Sequence, residues 1–141
     1  MEIPDEVRRE IVVEAPQERV WRAITEPDEL IRWFPDKIAE VDPRPGGAIR
    51  IEWRDGEFDD GTVDVVEEPS RFVFRWHGAG FDSAETLVEF MLETVEDSTR
   101  VVVVESGFSK VREEKRSSAW QDNDEGGAKE LGELKAYLEA A

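Results

Sequence analysis

Glu105 is the residue whose position most asks for chemistry. It follows Thr99, Val101 and Val103 at a spacing of two, so a strand would carry its carboxylate on the same face as two valines. Carboxylates are seldom buried unless they are paired or neutral. Two roles fit: a strand-end glutamate at a sheet rim, met by water or an arginine, or a carboxylate facing an apolar pocket that polarises or anchors a ligand. Around it stand aromatics on the apolar phase of successive strands: Trp53, Phe72, Phe74, Trp76 and Phe90, with Val88 beside them and Trp33 and Phe34 on a nearby helix. Such a set either fills a core or walls a cavity for apolar ligands. Trp33, Phe34, Trp53, Phe72, Phe74, Trp76, Val88, Phe90 and Glu105 are therefore the candidate ligand-binding residues.

Other chemistries find less to work with. His77 is the single histidine; a lone imidazole without cysteine partners makes a poor metal site, and no carboxylate beside it in sequence would make it a general base. Asp122-Asn123-Asp124-Glu125-Gly126-Gly127 with Glu133 comes close to a calcium loop. Lys129 stands where an apolar residue is needed, however, and Leu131, Leu134 and Leu138 call for helix through the same segment. Neither a Gly-x-x-x-x-Gly-Lys-Ser/Thr loop nor a Gly-x-Ser-x-Gly elbow occurs. No catalytic residue, metal ligand or cofactor is expected.

The elements that must position Glu105 follow from periodicity. Residues 7–14 read as an opening strand, stopped by Ala15-Pro16, with Pro16 suited to the first turn of a helix. Val20, Ala23 and Ile24 make a helical stripe flanked by Trp21. Pro27 restarts the pattern, with Leu30, Trp33 and Phe34 at helical spacing up to Pro35. From Lys37 to Phe108 the period is two. Ile49, Ile51 and Trp53 follow the turn at Pro45-Gly46-Gly47, Asp55-Gly56 reads as a hairpin turn, and Val63 and Val65 continue on one face. Phe72, Phe74 and Trp76, then Val88, Phe90 and Leu92, then Thr99 to Glu105 complete about six antiparallel strands of a meander. Gly78-Ala79-Gly80 reads as a loop whose neighbour Phe81 could close over a cavity mouth. Leu131, Leu134 and Leu138 form the apolar stripe of a terminal helix with Tyr137 on its flank. A helix of that kind must cover the sheet, giving an α+β fold.

The chain has 141 residues, 39% hydrophobic and 38% charged, with five Trp, seven Phe and one Tyr. That length suits one domain over 1–141, and that aromatic content is incompatible with disorder. Cysteine is absent, which excludes disulfides and thiol chemistry. Against 18 Lys and Arg stand 35 Asp and Glu, a formal net charge of −17. Such a surface repels nucleic acid and anionic membranes, so neither is an expected partner. No apolar run reaches the ~18 residues of a membrane span, and the acidic start Met-Glu-Ile-Pro-Asp-Glu is unlike a signal peptide. The expected location is the cytoplasm.

In this order of elements the chain resembles the START-like (SRPBCC, helix-grip) superfamily, and within it the family named after the activator of heat-shock protein 90 ATPase. The resemblance rests on an ordered set: Ala15-Pro16, Val20-Trp21, Ile24-Thr25, Pro27, Leu30 and Trp33-Phe34, then Pro45-Gly46-Gly47, Gly61-Thr62-Val63, Pro69, Phe72 to Trp76, Thr99-Arg100-Val101, Glu105-Ser106-Gly107-Phe108, and Leu131 to Glu139. It departs at Gly126-Gly127-Ala128, where many members carry Gly-Trp, with Trp120 upstream. The resemblance implies a curved antiparallel sheet of about six to seven strands around a long C-terminal helix, with two short helices after the first strand. It also implies a binding cavity for a small apolar or amphipathic molecule between sheet and helix. The alternatives it brings are a partner of a heat-shock protein 90 chaperone and an enzyme like the aromatic polyketide cyclases; it leaves a homodimer open.

Overall fold

The computed structural model describes residues 6–33, 38–52, 58–77, 85–107 and 131–140. Strand β1 (Glu6–Val13) leads into helices α1 (Gln17–Thr25) and α2 (Pro27–Trp33). Strands β2 (Ile38–Val41), β3 (Ala48–Glu52), β4 (Phe58–Glu67), β5 (Arg71–His77), β6 (Glu85–Val95) and β7 (Ser98–Ser106) follow, and helix α3 covers 131–139. The strands form one antiparallel sheet in the order β1-β7-β6-β5-β4-β3-β2. Six strands thus run as a meander, and β1 returns to pair with the last of them from Glu6↔Ser106 to Val13↔Thr99. This curved seven-stranded sheet with its terminal helix is the α+β helix-grip arrangement. No described helix is long and apolar enough to cross a membrane.

Register decides which side chains share the inner face, because directly paired residues lie on one side of a sheet. Val63, Phe74, Val88, Glu105 and Val7 form one inner row; Val66, Phe72, Phe90, Val103 and Arg9 form the next. Leu131, Leu134 and Leu138 of α3 are buried in the same core as Phe72, Phe74, Trp76 and Phe90. The terminal stripe therefore packs on the aromatic face, as its spacing requires. Phe72 meets Trp21 edge-on at 6.1 Å, and Phe74 meets Trp76 edge-on at 5.2 Å.

Two local expectations are corrected. Pro16 is the residue before α1, extended at φ −63° and ψ 149°, with its carbonyl accepting from the Val20 N–H at 3.1 Å; the helix starts at Gln17. The expected pairing of Val63 with Val65 on one face also fails. The register with β5 slips between Val63↔Phe74 and Val65↔Val73, so Val66, opposite Phe72, takes the inward place. A bulge inserts one residue into one strand and reverses the alternation beyond it. The residue between, Asp64, lies in ion-pair contact with Arg75 at 2.8 Å.

The helices are fastened at named points. Gln17 donates from Nε2 to the Pro69 and Leu92 carbonyls at 2.9 and 3.2 Å and accepts from the Thr94 hydroxyl at 2.7 Å. Trp33 donates its indole N–H to the Ala23 carbonyl at 2.8 Å, tying α2 to α1. Lys135 donates to the Val12 carbonyl, and Glu139 accepts from the Glu14 N–H, which fix α3 to the end of β1.

Candidate functional site

Glu105 sits near the end of β7, where β5 ends and β6 begins. Its residue is 9% exposed. Its Oε2 accepts a hydrogen bond from the Trp76 indole N–H at 3.1 Å and another from the Thr86 hydroxyl. Thr86 is 1% exposed. The carboxylate thus reaches across the start of β6 to the far end of β5. The sheet register makes the reach short. Val88 lies opposite both Phe74 and Glu105, and Thr86, two residues earlier on the same face, lies opposite Trp76.

Gly61 completes the corner. It pairs with Trp76, and a Cβ at its position would fall 1.8 Å from the Arg75 carbonyl oxygen, so a residue without a side chain is required there. Running away from Glu105 the inner face carries Phe74, Val88, Phe72, Phe90, then Leu92 and Val101, with half-buried Arg9 on the edge strand β1. A polar corner therefore borders an aromatic and aliphatic cluster. A low-dielectric setting strengthens each such hydrogen bond. What the arrangement can do is hold a buried carboxyl group in a fixed place beside apolar side chains.

Of the residues expected from sequence, Phe72, Phe74, Trp76, Val88, Phe90 and Glu105 are brought together on this one face. Trp33 is buried in the same core, on the side held by α1. Phe34, Trp53, Phe81 and Trp120 lie outside the described residues, as does the side chain of His77. Most of the calcium-like segment also lies outside them, and its last residues, 131–133, are helical. No group of metal-binding side chains occurs among the described residues. Thr86 was not singled out from sequence. The signal was present, since it precedes Val88 by two and so continues the inward phase of Val88, Phe90 and Leu92. Arg9 was missed in the same way: Val7, Arg9 and Ile11 share a phase, which puts a half-buried cation on the inner face.

A concavity lies away from Glu105, between α1 and the turn joining β4 to β5. It has a volume of about 490 Å³ and is lined by Glu18, Trp21, Arg22, Glu68 and Pro69. Its rim mixes both charge signs, and none of the expected binding residues lines it.

Comparison with known proteins agrees with this architecture. DynU16, described as a putative protein in the dynemicin biosynthetic locus, matches with a TM-score of 0.82 and 29% identity over 97% of this chain and 48% of its own. This chain thus spans about half the length of DynU16. Protein MLL2253 from Mesorhizobium loti matches with a TM-score of 0.84 and 24% identity, over 96% of this chain and 98% of its own. The Aha1 dimer from Colwellia psychrerythraea has a TM-score of 0.77 and 23% identity, over 95% and 96%. No curated protein sequence matches the chain. The model of one family, Activator of Hsp90 ATPase homolog 1-like protein, matches residues 14–139. With nearly its whole length matched, and with the START-like sheet and terminal helix described above, the chain belongs to that family.

Proposed function

We propose that the domain binds a small apolar or amphipathic molecule between the inner face of the sheet and the terminal helix, with Glu105 as its polar handle. The observation that carries this reading is the carboxylate of Glu105, buried on an aromatic face and held by Trp76 and Thr86. A fold that needed only a packed core would gain nothing from it, because burying a carboxylate costs several kcal/mol where an apolar residue costs none, on the order of magnitude known for buried ions. Trp33, Phe34, Trp53, Phe72, Phe74, Val88 and Phe90 are the proposed apolar contacts.

Native mass spectrometry of freshly purified protein, paired with titration of an apolar fluorescent probe, tests the reading. The expected outcome is a co-purified small molecule or saturable probe binding that alters tryptophan emission, with the change reduced in Trp76→Phe. Absence of any adduct, together with a probe signal that never saturates, would leave only a packed core. The same spectra report whether one copy or two carries the ligand.

A second reading is favoured by the family match over residues 14–139: a cytoplasmic partner of a heat-shock protein 90 chaperone. A Plasmodium falciparum neighbour is described as an HSP90 activator, at 17% identity. Stimulation of a chaperone's ATPase by this domain, with a stable complex, would support it; no complex at micromolar concentrations would end it. The polyketide cyclase-like alternative needs a second proton-transferring group at Glu105. Its Oε2 partners Trp76 and Thr86 are an indole and a hydroxyl that do not titrate near neutrality, so this alternative turns on a group elsewhere around the carboxylate.

A further inference from the structure

We infer that the concavity between α1 and the β4–β5 turn binds a small zwitterion, with its ammonium group toward Glu18 and Glu68 and its carboxylate toward Arg22. This site is separate from the one proposed beside Glu105 and stands or falls without it. Its volume of about 490 Å³ lies within the ~300–1,000 Å³ of small-molecule sites. Glu18, Trp21 and Arg22 stand at i, i+3 and i+4 on α1, so they share one face of the helix. Glu68 and Pro69 supply the other wall from the turn.

The charged groups of these walls are left without partners. A glutamate four residues before a cation on a helix ordinarily closes an ion pair, and the less favourable reverse order closes on α3, as Lys135–Glu139 at 2.8 Å. Glu18 and Arg22 have the better order, yet among the described residues no ion pair or hydrogen bond engages either side chain. The Glu68 carboxylate is in the same condition, whereas its neighbour Glu67 pairs with Arg71 at 3.4 Å. Arg19, which does not line the concavity, is committed to Glu29 at 2.9 Å, and Arg22 reaches Glu29 through its charge alone. Two carboxylates repel a lone anion, and the guanidinium repels a lone cation; a molecule carrying both charges satisfies all three. The net charge of −17 reinforces the exclusion of anions and leaves a neutral zwitterion unopposed. The walls are also fixed relative to each other. Gln17 ties the start of α1 to the Pro69 and Leu92 carbonyls, and Trp21 is braced edge-on by Phe72. Walls already in place lower the ordering cost of binding.

The test compares four six-carbon probes by NMR titration at about 0.15 M salt, where the ~8 Å screening length mutes the general field of the protein. Norleucine and 6-aminohexanoate carry both charges, on one carbon or at opposite ends; hexylamine and hexanoate carry one each. We expect at least one zwitterion to shift the Trp21 indole and Arg22 amide signals saturably. It should bind about tenfold or more tightly than hexylamine or hexanoate, the scale of one charge-assisted hydrogen bond. In Arg22→Gln its affinity should fall to that of hexylamine, and in Glu18→Gln and Glu68→Gln both should weaken together. Arg8→Gln and Glu93→Gln make the same charge changes on the sheet, beside Glu10 and Arg100, and should leave the ratio unchanged. All five positions are exposed, so each variant keeps the core intact. Hexylamine binding as tightly as both zwitterions would overturn the inference, as would an equal loss in Arg8→Gln. The absence of a saturable shift with every probe would overturn it too, while leaving the Glu105 reading, whose probe is apolar, untouched.

Discussion

At the scale of single residues, Tyr137 does as much as any to hold the helices in place. Its hydroxyl donates to Glu29 Oε1 on α2, while Arg19 on α1 donates to Glu29 Oε2 at 2.9 Å and lies over the Tyr137 ring at 5.5 Å. One cluster thereby joins α1, α2 and α3. Burial pushes the Glu29 carboxyl up, but the Tyr137 hydrogen bond and the Arg19 charge outweigh it and leave the pKa below its ordinary 4.5. A group held down in the folded state binds fewer protons there than in the unfolded chain. Its contribution is therefore complete above about 4.5 and is lost as pH falls through the folded value. Tyr137→Phe should raise the Glu29 pKa, read by carboxyl carbon NMR, and cost about 1.5 kcal/mol near neutrality, as for a hydrogen bond to a charged group. The cost should shrink as pH falls through the folded value; a cost independent of pH would mean that Glu29 is not the partner that matters. None of this cluster was legible in sequence, because residues 19, 29 and 137 share no local pattern. Glu105 was legible, since its phase follows from Val101 and Val103. Its partners were less so, because a hydrogen bond across three strands depends on register.

The elements were legible where periodicity is long and failed where it is interrupted. The α3 stripe of Leu131, Leu134 and Leu138 survives intact because nothing breaks a 3.6-residue repeat there. In β4, one added residue at the bulge turned Val65 away and Val66 inward, and no composition signal marks it. β2 spans only four residues, too few for a period to register. Two substitutions on α3 should move stability in opposite directions. Leu134, fully buried, should lose about 2–5 kcal/mol on truncation to alanine. Gly132 is exposed, and a Cβ there meets no atom within 4 Å. Gly132→Ala should therefore gain about 0.5–1 kcal/mol from helix propensity alone. Urea unfolding of both variants decides the matter: a loss below ~0.5 kcal/mol for Leu134→Ala, the level of a surface change, would mean that α3 does not cover the sheet.

For the whole molecule, the acidic excess and the ion pairs of the outer sheet face pull in different directions. Arg71 pairs with Glu89 at 2.5 Å, Arg75 with Asp64 at 2.8 Å and Arg100 with Glu10 at 2.9 Å. These contacts lie well inside the ~10 Å screening length of 0.1 M salt, so added ions weaken them little, and exposed pairs contribute only about 0–1 kcal/mol each. Repulsion among 35 acids against 18 bases acts over longer distances and is screened first. Sodium chloride raised from about 10 mM to about 0.3 M should therefore increase the melting temperature, since it crosses that screening range. A midpoint that stays level or falls would show that the ion pairs dominate.

The pairing of β1 with β7 has a consequence for how the chain must acquire its structure. Residues 6–13 find their partners only at 99–106, and α3 reaches back to Val12 and Glu14. An emerging polypeptide therefore carries β1 without a mate until β7 has been synthesised. Closure over so many residues is entropically demanding, and sheets built on such distant contacts form in milliseconds to seconds rather than microseconds. During that interval Val7, Ile11 and Val13 have no cover, and the charged residues interspersed with them, Arg8, Arg9 and Glu10, are what discourages them from pairing with another nascent chain.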